Sequence, residues 1–377
     1  MTPLEKSADF ALSRSLQTKT WRPLKNLWVS HPELLLDRAR FHSINNIIYR
    51  DLKTDSPPDD FMNALKSSYI ADTLWEQNHA QLIALLVANL KAADIHPLIF
   101  KGTALAYTHY AEPSIRLRGD TDILVTGKEY AQAKDILVSM GFTTAKIAGT
   151  SYSVIEQEFV LIDEMGLEHH IDLHRQVSSC PYVANSLTHE YLAQNAVGSV
   201  ISGQPIKVLG NIPALLLACF HHHKSLKAYH HDEIDNPLSA YNLIWVYDIH
   251  LLSCALTPGD WDQLLKQAPR FGMAASCYVG LTLAKTFFNT NISGTVISKL
   301  YSEGRDSKID RYLKARKLDR IIMTIASQHG IKNTLGFLSE VIFPNKPYMR
   351  ERYSDVRPSW IVYLYIRRAF NRLIRFD

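Results

Sequence analysis

Two aspartates, Asp120 and Asp122, stand two residues apart in a short apolar segment, residues 120–125, that is predicted to form a β-strand. Side chains alternate along a strand, so both carboxylates would project from the same face of a sheet. At a separation of about 4 Å and an effective dielectric constant of about 20, they would repel each other by about 4 kcal/mol. The pair is therefore expected either to bind a metal ion or to hold a proton.

A third carboxylate, Asp172, lies in a later β-like segment, Ile171-Asp172-Leu173-His174. Oxygen ligands suit Mg²⁺, with Mn²⁺ as the alternative, and water and phosphate oxygens would complete the coordination. Three carboxylates can hold two divalent ions, one that activates an attacking hydroxyl and one that binds a triphosphate and its leaving pyrophosphate. The sequence thus predicts Asp120, Asp122 and Asp172 as metal ligands and as catalytic residues.

A candidate phosphate site precedes the aspartate pair. The apolar run 97–100 is predicted to be a buried strand that ends at Lys101 and Gly102, and a helix is predicted from Thr103. Such a turn offers backbone N–H groups and the positive end of a helix to an anion, and Thr103 adds a hydroxyl. Lys101 and Arg116 are cations that can neutralise phosphate charge. Lys101, Gly102, Thr103 and Arg116 are therefore the predicted nucleotide-binding residues.

Each of these two patterns is common on its own, because D-x-D occurs at many strand ends and Lys-Gly-Thr in many turns. Their order is more informative. A strand, a Gly-Thr turn, a helix, an arginine and then D-x-D on the next strand would place phosphate-binding groups and metal ligands at adjacent strand ends.

The composition is that of an ordinary globular protein, with 377 residues, 46% of them hydrophobic and 21% charged. The formal charge of +4 is too small to require a nucleic-acid partner. The four cysteines lie far apart without a C-x-x-C pair, which indicates neither a zinc knuckle nor a disulfide framework. Without a secretory signal or an apolar run of about 20 residues, a cytoplasmic location is expected, with attachment to a membrane surface as the alternative.

Hydrophobic periodicity divides the chain into four predicted regions. Residues 1–93 are predicted to be helical, residues 94–210 to form a catalytic core with a small mixed sheet, residues 211–345 to be helical, and residues 346–377 to form a basic, aromatic segment. The core is expected to contain a hairpin whose turn is centred on residues 163–166. Individual helices are predicted at 103–110, 128–140, 214–227, 243–256, 261–267, 274–288 and 312–328.

Two runs carry a resemblance to a known family. Pro97-Leu-Ile-Phe-Lys-Gly-Thr-Ala-Leu-Ala106 and Arg116-Leu-Arg-Gly-Asp-Thr-Asp-Ile-Leu-Val125 resemble the uncharacterised nucleotidyltransferase family of the polymerase-β-type superfamily. The resemblance is strong over residues 95–177 and weaker through Trp245-Val-Tyr-Asp248.

The matches can be named residue by residue. Gly102 and Thr103 match the superfamily's Gly-Ser turn, with Thr in place of Ser, and Asp120 and Asp122 match its hDxDh strand. Asp172 matches the third carboxylate in the family's Asp-Leu-His element. Lys101 matches the family's Lys-Gly, and Arg116 matches the arginine that precedes its Gly-Asp step.

The resemblance implies an α+β fold with a polymerase-β-like nucleotidyltransferase core, flanked by N-terminal and C-terminal helical regions. It also implies Mg²⁺-dependent transfer of a nucleoside monophosphate from a nucleoside triphosphate to an acceptor hydroxyl, with release of pyrophosphate. Relatives modify small molecules, proteins and RNA, so the acceptor stays open. The alternative is a non-catalytic nucleotide-binding regulatory or accessory protein of the same fold, against which the presence of all three carboxylates argues.

Several histidines have more than one interpretation. His221, His222 and His223, with His230 and His231, are predicted to form a polar helix face near the nucleotide in preference to a zinc site, because no cysteine or carboxylate stands at ligand spacing. His170 and His174 flank Asp172 on one strand face, where they would either orient it or be solvated.

Two further features remain open. Asp248, inside an apolar helical stretch, is predicted to satisfy a buried hydrogen bond in preference to touching the acceptor. The C-terminal segment is interpreted first as a solvated tail. The alternatives are contact with an anionic membrane surface and docking on protein or nucleic acid. Its arginines are Arg350, Arg352, Arg357, Arg367, Arg368, Arg372 and Arg375.

Overall fold

A computed structural model describes residues 2–52, 56–144, 155–229, 242–305, 307–327, 334–336, 338–339, 343, 346, 349 and 362–367. These residues include sixteen α-helices, whose bounds are given below, and one seven-stranded sheet. The α+β class is therefore confirmed. The hairpin expected around residues 163–166 is formed by β4 (Glu156–Ile162) and β5 (Glu168–His174), which pair in antiparallel fashion.

The helices before the sheet are α1 (Pro3–Thr18), α2 (Lys25–Ser30), α3 (Pro32–Phe41), α4 (Asn45–Asp51) and α5 (Asp59–Ala92). The sheet region adds β1 (Leu98–Phe100), α6 (Lys101–Ala106), β2 (Asp120–Leu124), α7 (Tyr130–Ser139), β3 (Thr143–Thr144), α8 (Pro181–Ser186), α9 (His189–Gln194), β6 (Ala196–Ile201) and β7 (Gln204–Leu209). The later helices are α10 (Asn211–Tyr229), α11 (Leu243–Cys254), α12 (Pro258–Arg270), α13 (Ala274–Phe288), α14 (Gly294–Gly304), α15 (Lys308–Lys314) and α16 (Lys317–Ala326).

The sheet is mixed, with the strand order β3-β4-β5-β2-β1-β7-β6. Strands β2 and β5 run parallel, as do β1 and β7, and the other neighbours are antiparallel. The β2–β5 register places Asp122 beside Asp172 and Asp120 beside His170. Paired residues on neighbouring strands project from the same face, so the two strands present their acidic side chains together.

Two hydrophobic clusters cover the two faces of the sheet. Ile123 and Ile171 pack in a cluster that includes Leu86 of α5 and Leu137 of α7. Phe100 and Leu124, on the opposite face, belong to a larger cluster. That cluster includes Leu216 of α10, Ile244 of α11 and Leu281 of α13. Because Asp120 and Asp122 alternate with Thr121 and Ile123, the carboxylates lie on the face that α10 and α11 cover.

The predicted helix at 274–288 coincides with α13, but the single helix predicted for 312–328 is wrong. The chain forms α15 and α16 instead, because Ala315 and Arg316 adopt extended backbone conformations with ψ of 148° and 160°. The Arg320 guanidinium donates to the carbonyls of Leu313 and Ala315, which satisfies the end of α15. The helix predicted at 103–110 is shorter and earlier, at Lys101–Ala106.

No helix within the described ranges is both long enough and apolar enough to cross a bilayer. Of the C-terminal segment 346–377, the structure describes residues 346, 349 and 362–367, so most of what was predicted for that segment lies outside the described residues.

Candidate active site

The acidic side chains of β2 and β5 converge at the sheet face described above. One ligand atom each from Asp122, Asp172 and His174 lies within 4.8 Å of the others. Asp120 lies two residues before Asp122 and projects from the same face of β2, but it does not belong to this three-residue group. The structure thus brings together two of the three predicted metal ligands, sets the third beside them, and adds His174, for which only an orienting or a solvated role was predicted.

The pKa of each of these aspartates depends on its burial and on the charges of its neighbours. Burial, together with the negative charges of Asp120 and Asp122, raises the pKa of Asp172 to about 6. Burial and the charge of Asp122 also raise the pKa of Asp120. Burial acts in the same direction on Asp122, but Lys101 and His174 outweigh it and hold the pKa of Asp122 below its usual value. Asp122 is therefore ionised at neutral pH. Asp172 gains or loses its proton at a pH of about 6, close to neutrality.

The turn that joins β1 to α6 brings a cation to the aspartates. Lys101 Nζ lies 2.5 Å from Asp122 Oδ1. Lys101 has a φ of 53°, in the left-handed region that side chains other than glycine seldom adopt. A Cβ on Gly102 would meet Arg118 Cβ at an ordinary contact distance of 3.5 Å. The unusual backbone conformation of the turn is thus at Lys101, where the sequence pointed to Gly102.

The Arg116 guanidinium, which was predicted to bind phosphate, is paired with an acid within the protein, and its role in nucleotide binding stays a prediction. Its Nε and Nη2 donate to Asp248 Oδ1 and Oδ2 at 2.9 and 2.7 Å, and both side chains are at most 7% exposed. Tyr110 Oη donates to the same carboxylate at 2.7 Å. This buried pair supports the interpretation of Asp248 as a structural residue. It leaves Arg116 as a group that positions the loop before β2.

The Thr103 hydroxyl is also committed elsewhere. Its Oγ1 lies 2.7 Å from Thr121 Oγ1 and accepts a hydrogen bond from Arg118 Nε at 2.8 Å. Thr121 stands between the two aspartates and therefore points to the opposite face of β2. The hydroxyl contribution predicted for Thr103 does not fit this position. A contact between Thr103 and phosphate would have to be made by the backbone N–H.

A polar network behind the sheet was not predicted. Arg118 Nη1 and Nη2 lie 2.7 and 2.9 Å from the Glu76 carboxylate, which also accepts from Tyr107 Oη at 2.6 Å. His79, one turn along α5, lies 2.7 Å from Thr121 Oγ1 and 3.1 Å from His169 Nδ1. Glu76 and His79 share the helix face that carries the buried Ile83 and Leu86. Two polar residues on the apolar face of a helix are a sequence signal from which a buried polar network could have been predicted.

A cavity of about 640 Å³ opens beside the aspartates. Lys101, Gly102, Asp120 and Asp122 line its sheet side, and His221, Lys224, Trp245 and Asp248 line its helical side. Lys224 is exposed and has no salt-bridge partner within the described ranges. Arg116 and Arg118 are almost completely buried in their carboxylate pairs, whereas Lys101 is partly exposed beside Asp122 and Lys224 is exposed. These two lysines are therefore the accessible positive charges that line the cavity.

The three adjacent histidines of α10 have different surroundings. His221 packs edge-on against Trp245, with ring centroids 4.7 Å apart, and burial lowers its pKa to about 4. Neither ring nitrogen of the buried His222 has a hydrogen-bond partner among the residues that the structure describes. His223 Nδ1 lies 3.0 Å from Ser276 Oγ. Of these three histidines, only His221 lines the cavity, so the predicted polar helix face contains one of them. His230 and His231 lie outside the described residues.

The two histidines that flank Asp172 are bonded to other acids. His170 Nδ1 lies 2.9 Å from Glu158 Oε1 on β4, and His174 Nε2 lies 2.8 Å from Asp122 Oδ1. His174 is buried whereas His170 is partly exposed. Only His174 is therefore an integral part of the acidic group.

The chain is similar in sequence to a described protein family. A family model described as an uncharacterised nucleotidyltransferase matches residues 30–289, which include every residue of the site described above. Among solved structures, an antigenic nucleotidyltransferase-like protein from Paracoccidioides brasiliensis is similar, with 14% sequence identity and a TM-score of 0.38. The match covers 58% of this chain and 95% of that one. No curated protein matches the chain.

Proposed function

Since the chain belongs to the uncharacterised nucleotidyltransferase family, we propose that it transfers a nucleoside monophosphate from a nucleoside triphosphate to an acceptor hydroxyl and releases pyrophosphate. One observation carries the proposal. Asp122 and Asp172 occupy paired positions on the parallel strands β2 and β5, with Asp120 next on the same face, and Asp120 and Asp122 line the same cavity as Lys101 and Lys224.

The residues present fit a divalent cation. Burial, followed by the charges of the neighbouring aspartates, raises the pKa values of Asp120 and Asp172, and a bound cation would offset the repulsion between these carboxylates. Asp120, Asp122 and Asp172 would together hold one or two Mg²⁺ or Mn²⁺ ions through carboxylate oxygens. When bound, such an ion neutralises charge on the triphosphate and stabilises the leaving pyrophosphate.

Binding of the triphosphate is assigned to Lys101 and Lys224, the two accessible cations that line the cavity, and to the turn before α6. Lys101 of α6 and Lys224 of α10 both line the cavity, so a triphosphate bound there would meet positive charge from two helices. The first N–H groups of a helix have no acceptor within the helix, and Gly102 exposes this backbone to the cavity. Arg116 and Arg118 keep the preceding loop in place through their carboxylate partners.

Asp172 has the properties of a general base. A pKa of about 6 leaves its carboxylate ionised at neutral pH but more basic than an ordinary aspartate, which suits proton transfer from a hydroxyl. The acceptor oxygen would form a bond to the α-phosphorus while the bond from that phosphorus to the bridging oxygen breaks. The hydroxyl proton passes to Asp172, and pyrophosphate leaves in line with the attack.

Calorimetric titration of each nucleoside triphosphate, with and without Mg²⁺ or Mn²⁺, tests the nucleotide part of the proposal. We expect metal-dependent binding that Asp120→Asn and Asp122→Asn both lose. Asp37→Asn is the matched control, because Asp37 is an exposed residue of α3 whose recorded ion pair is with exposed Arg40, and it should bind like the wild type. A folded wild-type protein that binds no nucleotide would overturn the proposal.

Transfer of label from an α-³²P nucleoside triphosphate to fractionated small molecules, proteins and RNA then tests the reaction and identifies the acceptor class. Transfer that Asp172→Asn abolishes is the expected result. Metal-dependent nucleotide binding without transfer to any fraction would favour the non-catalytic nucleotide-binding alternative.

A further inference from the structure

His174 is built into the acidic group by the register of three strands. It follows Asp172 by two residues on β5 and therefore shares its face, and Asp122 is the paired neighbour of Asp172 on β2. His174 Nε2 lies 2.8 Å from Asp122 Oδ1, and one ligand atom of each of the three residues lies within 4.8 Å of the others. The side chain is 1% exposed, so the ring has little freedom to leave this position.

The far side of the ring faces another acid. His174 Nδ1 lies 3.3 Å from Glu156 Oε2, on the residue of β4 that is paired with His174. Nδ1 makes no hydrogen bond of good geometry among the residues that the structure describes. The Phe100 ring packs edge-on against the imidazole, with centroids 5.0 Å apart. A proton on Nδ1 would therefore face Glu156, while Nε2 faces Asp122 and shares a proton with its carboxylate until a cation takes the place of that proton.

This arrangement matches the way proteins prepare a histidine for a metal ion, in which the nitrogen that does not bind the metal is oriented by a carboxylate. We propose that Asp122, Asp172 and His174 form one metal site with two carboxylate ligands and one imidazole ligand, and that it takes a first-row transition-metal ion such as Mn²⁺ in preference to Mg²⁺. The ion replaces the proton that Nε2 shares with Asp122. The inference rests on the proposed function, since it concerns the metal of the same site.

Ligand chemistry gives the direction of the preference. Mg²⁺ is a hard cation that binds oxygen ligands and water and gains little from an imidazole nitrogen. Imidazole is a common ligand of first-row transition metals, which bind it more tightly than Mg²⁺ does. Asp120 lies outside the three-residue group, so the inference assigns it no bond to this ion.

The first test uses the full-length wild-type protein with Mn²⁺ alone and no nucleotide, so it does not depend on catalysis. Electron spin-echo envelope modulation of the bound Mn²⁺ detects a directly coordinated nitrogen. We expect a ¹⁴N modulation that changes to a ¹⁵N pattern in protein grown with ¹⁵N-histidine. Absence of Mn²⁺ binding, or bound Mn²⁺ without nitrogen coupling, overturns the inference.

The second test assigns the nitrogen to His174. In His174→Gln the modulation should disappear and Mn²⁺ affinity should fall by at least about tenfold. His170→Gln is the matched control, because His170 lies on the same strand face but is paired with Glu158, and it should keep both signals. Nitrogen coupling that survives in His174→Gln overturns the assignment.

Selectivity is measured by competition. Mg²⁺ should displace Mn²⁺ from the wild type only at a concentration about a hundredfold higher, and His174→Asp should narrow this ratio by replacing the nitrogen with oxygen. Equal affinities of the wild type for the two ions overturn the preference. Nitrogen coupling in a protein that transfers no nucleotide would leave this inference standing and overturn the proposed reaction instead.

Discussion

Lys101 Nζ and His174 Nε2 approach the same oxygen, Asp122 Oδ1, at 2.5 and 2.8 Å. The ammonium group thus stands beside the position that a metal ion would take, and its charge holds Asp122 ionised. Because Lys101 also lines the cavity, it has a second partner available when a triphosphate is bound. In the proposed function, the same lysine would therefore link occupation of the metal site to occupation of the nucleotide site.

Replacing Lys101 with methionine should separate these two effects. Without nucleotide, Lys101→Met should bind Mn²⁺ about tenfold more tightly, because a positive charge within contact distance of the ligands is removed. Nucleotide affinity should fall at the same time. Calorimetric titrations measure both quantities, and Lys224→Met is the control that should lose nucleotide affinity without a change in metal affinity. Unchanged metal affinity in Lys101→Met would show that the lysine does not compete with the ion.

The Arg116–Asp248 pair should matter for stability. Asp248→Ala leaves a buried guanidinium without its partner, and we expect a loss of about 3–5 kcal/mol in the free energy of unfolding. The double variant Arg116→Met/Asp248→Leu should lose less than the sum of the two single losses, because no buried charge is left unpaired. Urea unfolding followed by circular dichroism measures this. Additive losses would mean that the two side chains do not act as a pair.

The buried His222 should make stability depend on pH. Burial, assisted by the neighbouring histidines, lowers its pKa to about 4, whereas an unfolded histidine titrates near about 6.5. Between these values the unfolded chain binds a proton that the folded chain does not, so the free energy of unfolding falls as the pH falls through this window. Above about pH 6.5 both states are neutral, and His222 contributes no slope.

Asp172, with its pKa raised to about 6, makes the free energy of unfolding rise as the pH falls, which opposes the effect of His222. Because the wild type and His222→Leu share this effect, the difference between the two proteins isolates the contribution of His222. Below pH 6.5 the variant should lose stability less steeply, by a difference of about 3 kcal/mol when pH 4 is reached. Thermal or urea unfolding at several pH values tests this. Parallel curves for the two proteins would contradict it.

The Thr103 hydroxyl should contribute to the stability of the fold and not to nucleotide binding. Thr103→Val removes the partner of Thr121 and of Arg118 Nε, which should cost about 1–3 kcal/mol of stability while nucleotide affinity stays close to that of the wild type. Thr121→Val should behave in the same way, and Thr103→Ser should restore both hydrogen bonds. A selective loss of nucleotide affinity in Thr103→Val, with unchanged stability, would show instead that the hydroxyl binds phosphate.

Regular local patterns made part of this fold predictable. The alternation of side chains along a strand placed Asp120 and Asp122 on one face before the strand pairing was known. The hairpin followed from two β-like runs, and its turn is stabilised by Asp163 Oδ1, which accepts from the N–H groups of Met165 and Leu167. Both cases depend on neighbours in the sequence.

What the sequence did not reveal depends on partners that only the fold brings together. Arg116 looked like a phosphate ligand because its partner, Asp248, lies 132 residues later. Thr103 looked like a phosphate donor for the same reason, since Thr121 reaches it only when β2 lies beside α6. Arg116 and Thr103 both have partners within the protein that the sequence did not reveal, and their contacts with a nucleotide stay predictions.

The loop that leads into β2 is anchored from outside the sheet on both sides. Arg116 is held by Asp248 of α11, and Arg118 is held by Glu76 of α5. A fragment cut to residues 94–210 would carry both guanidinium groups and neither carboxylate, and would have to expose or rearrange the loop that precedes the aspartates. Excision or grafting of this catalytic module into another scaffold would therefore have to include α5 and α11 along with the strands.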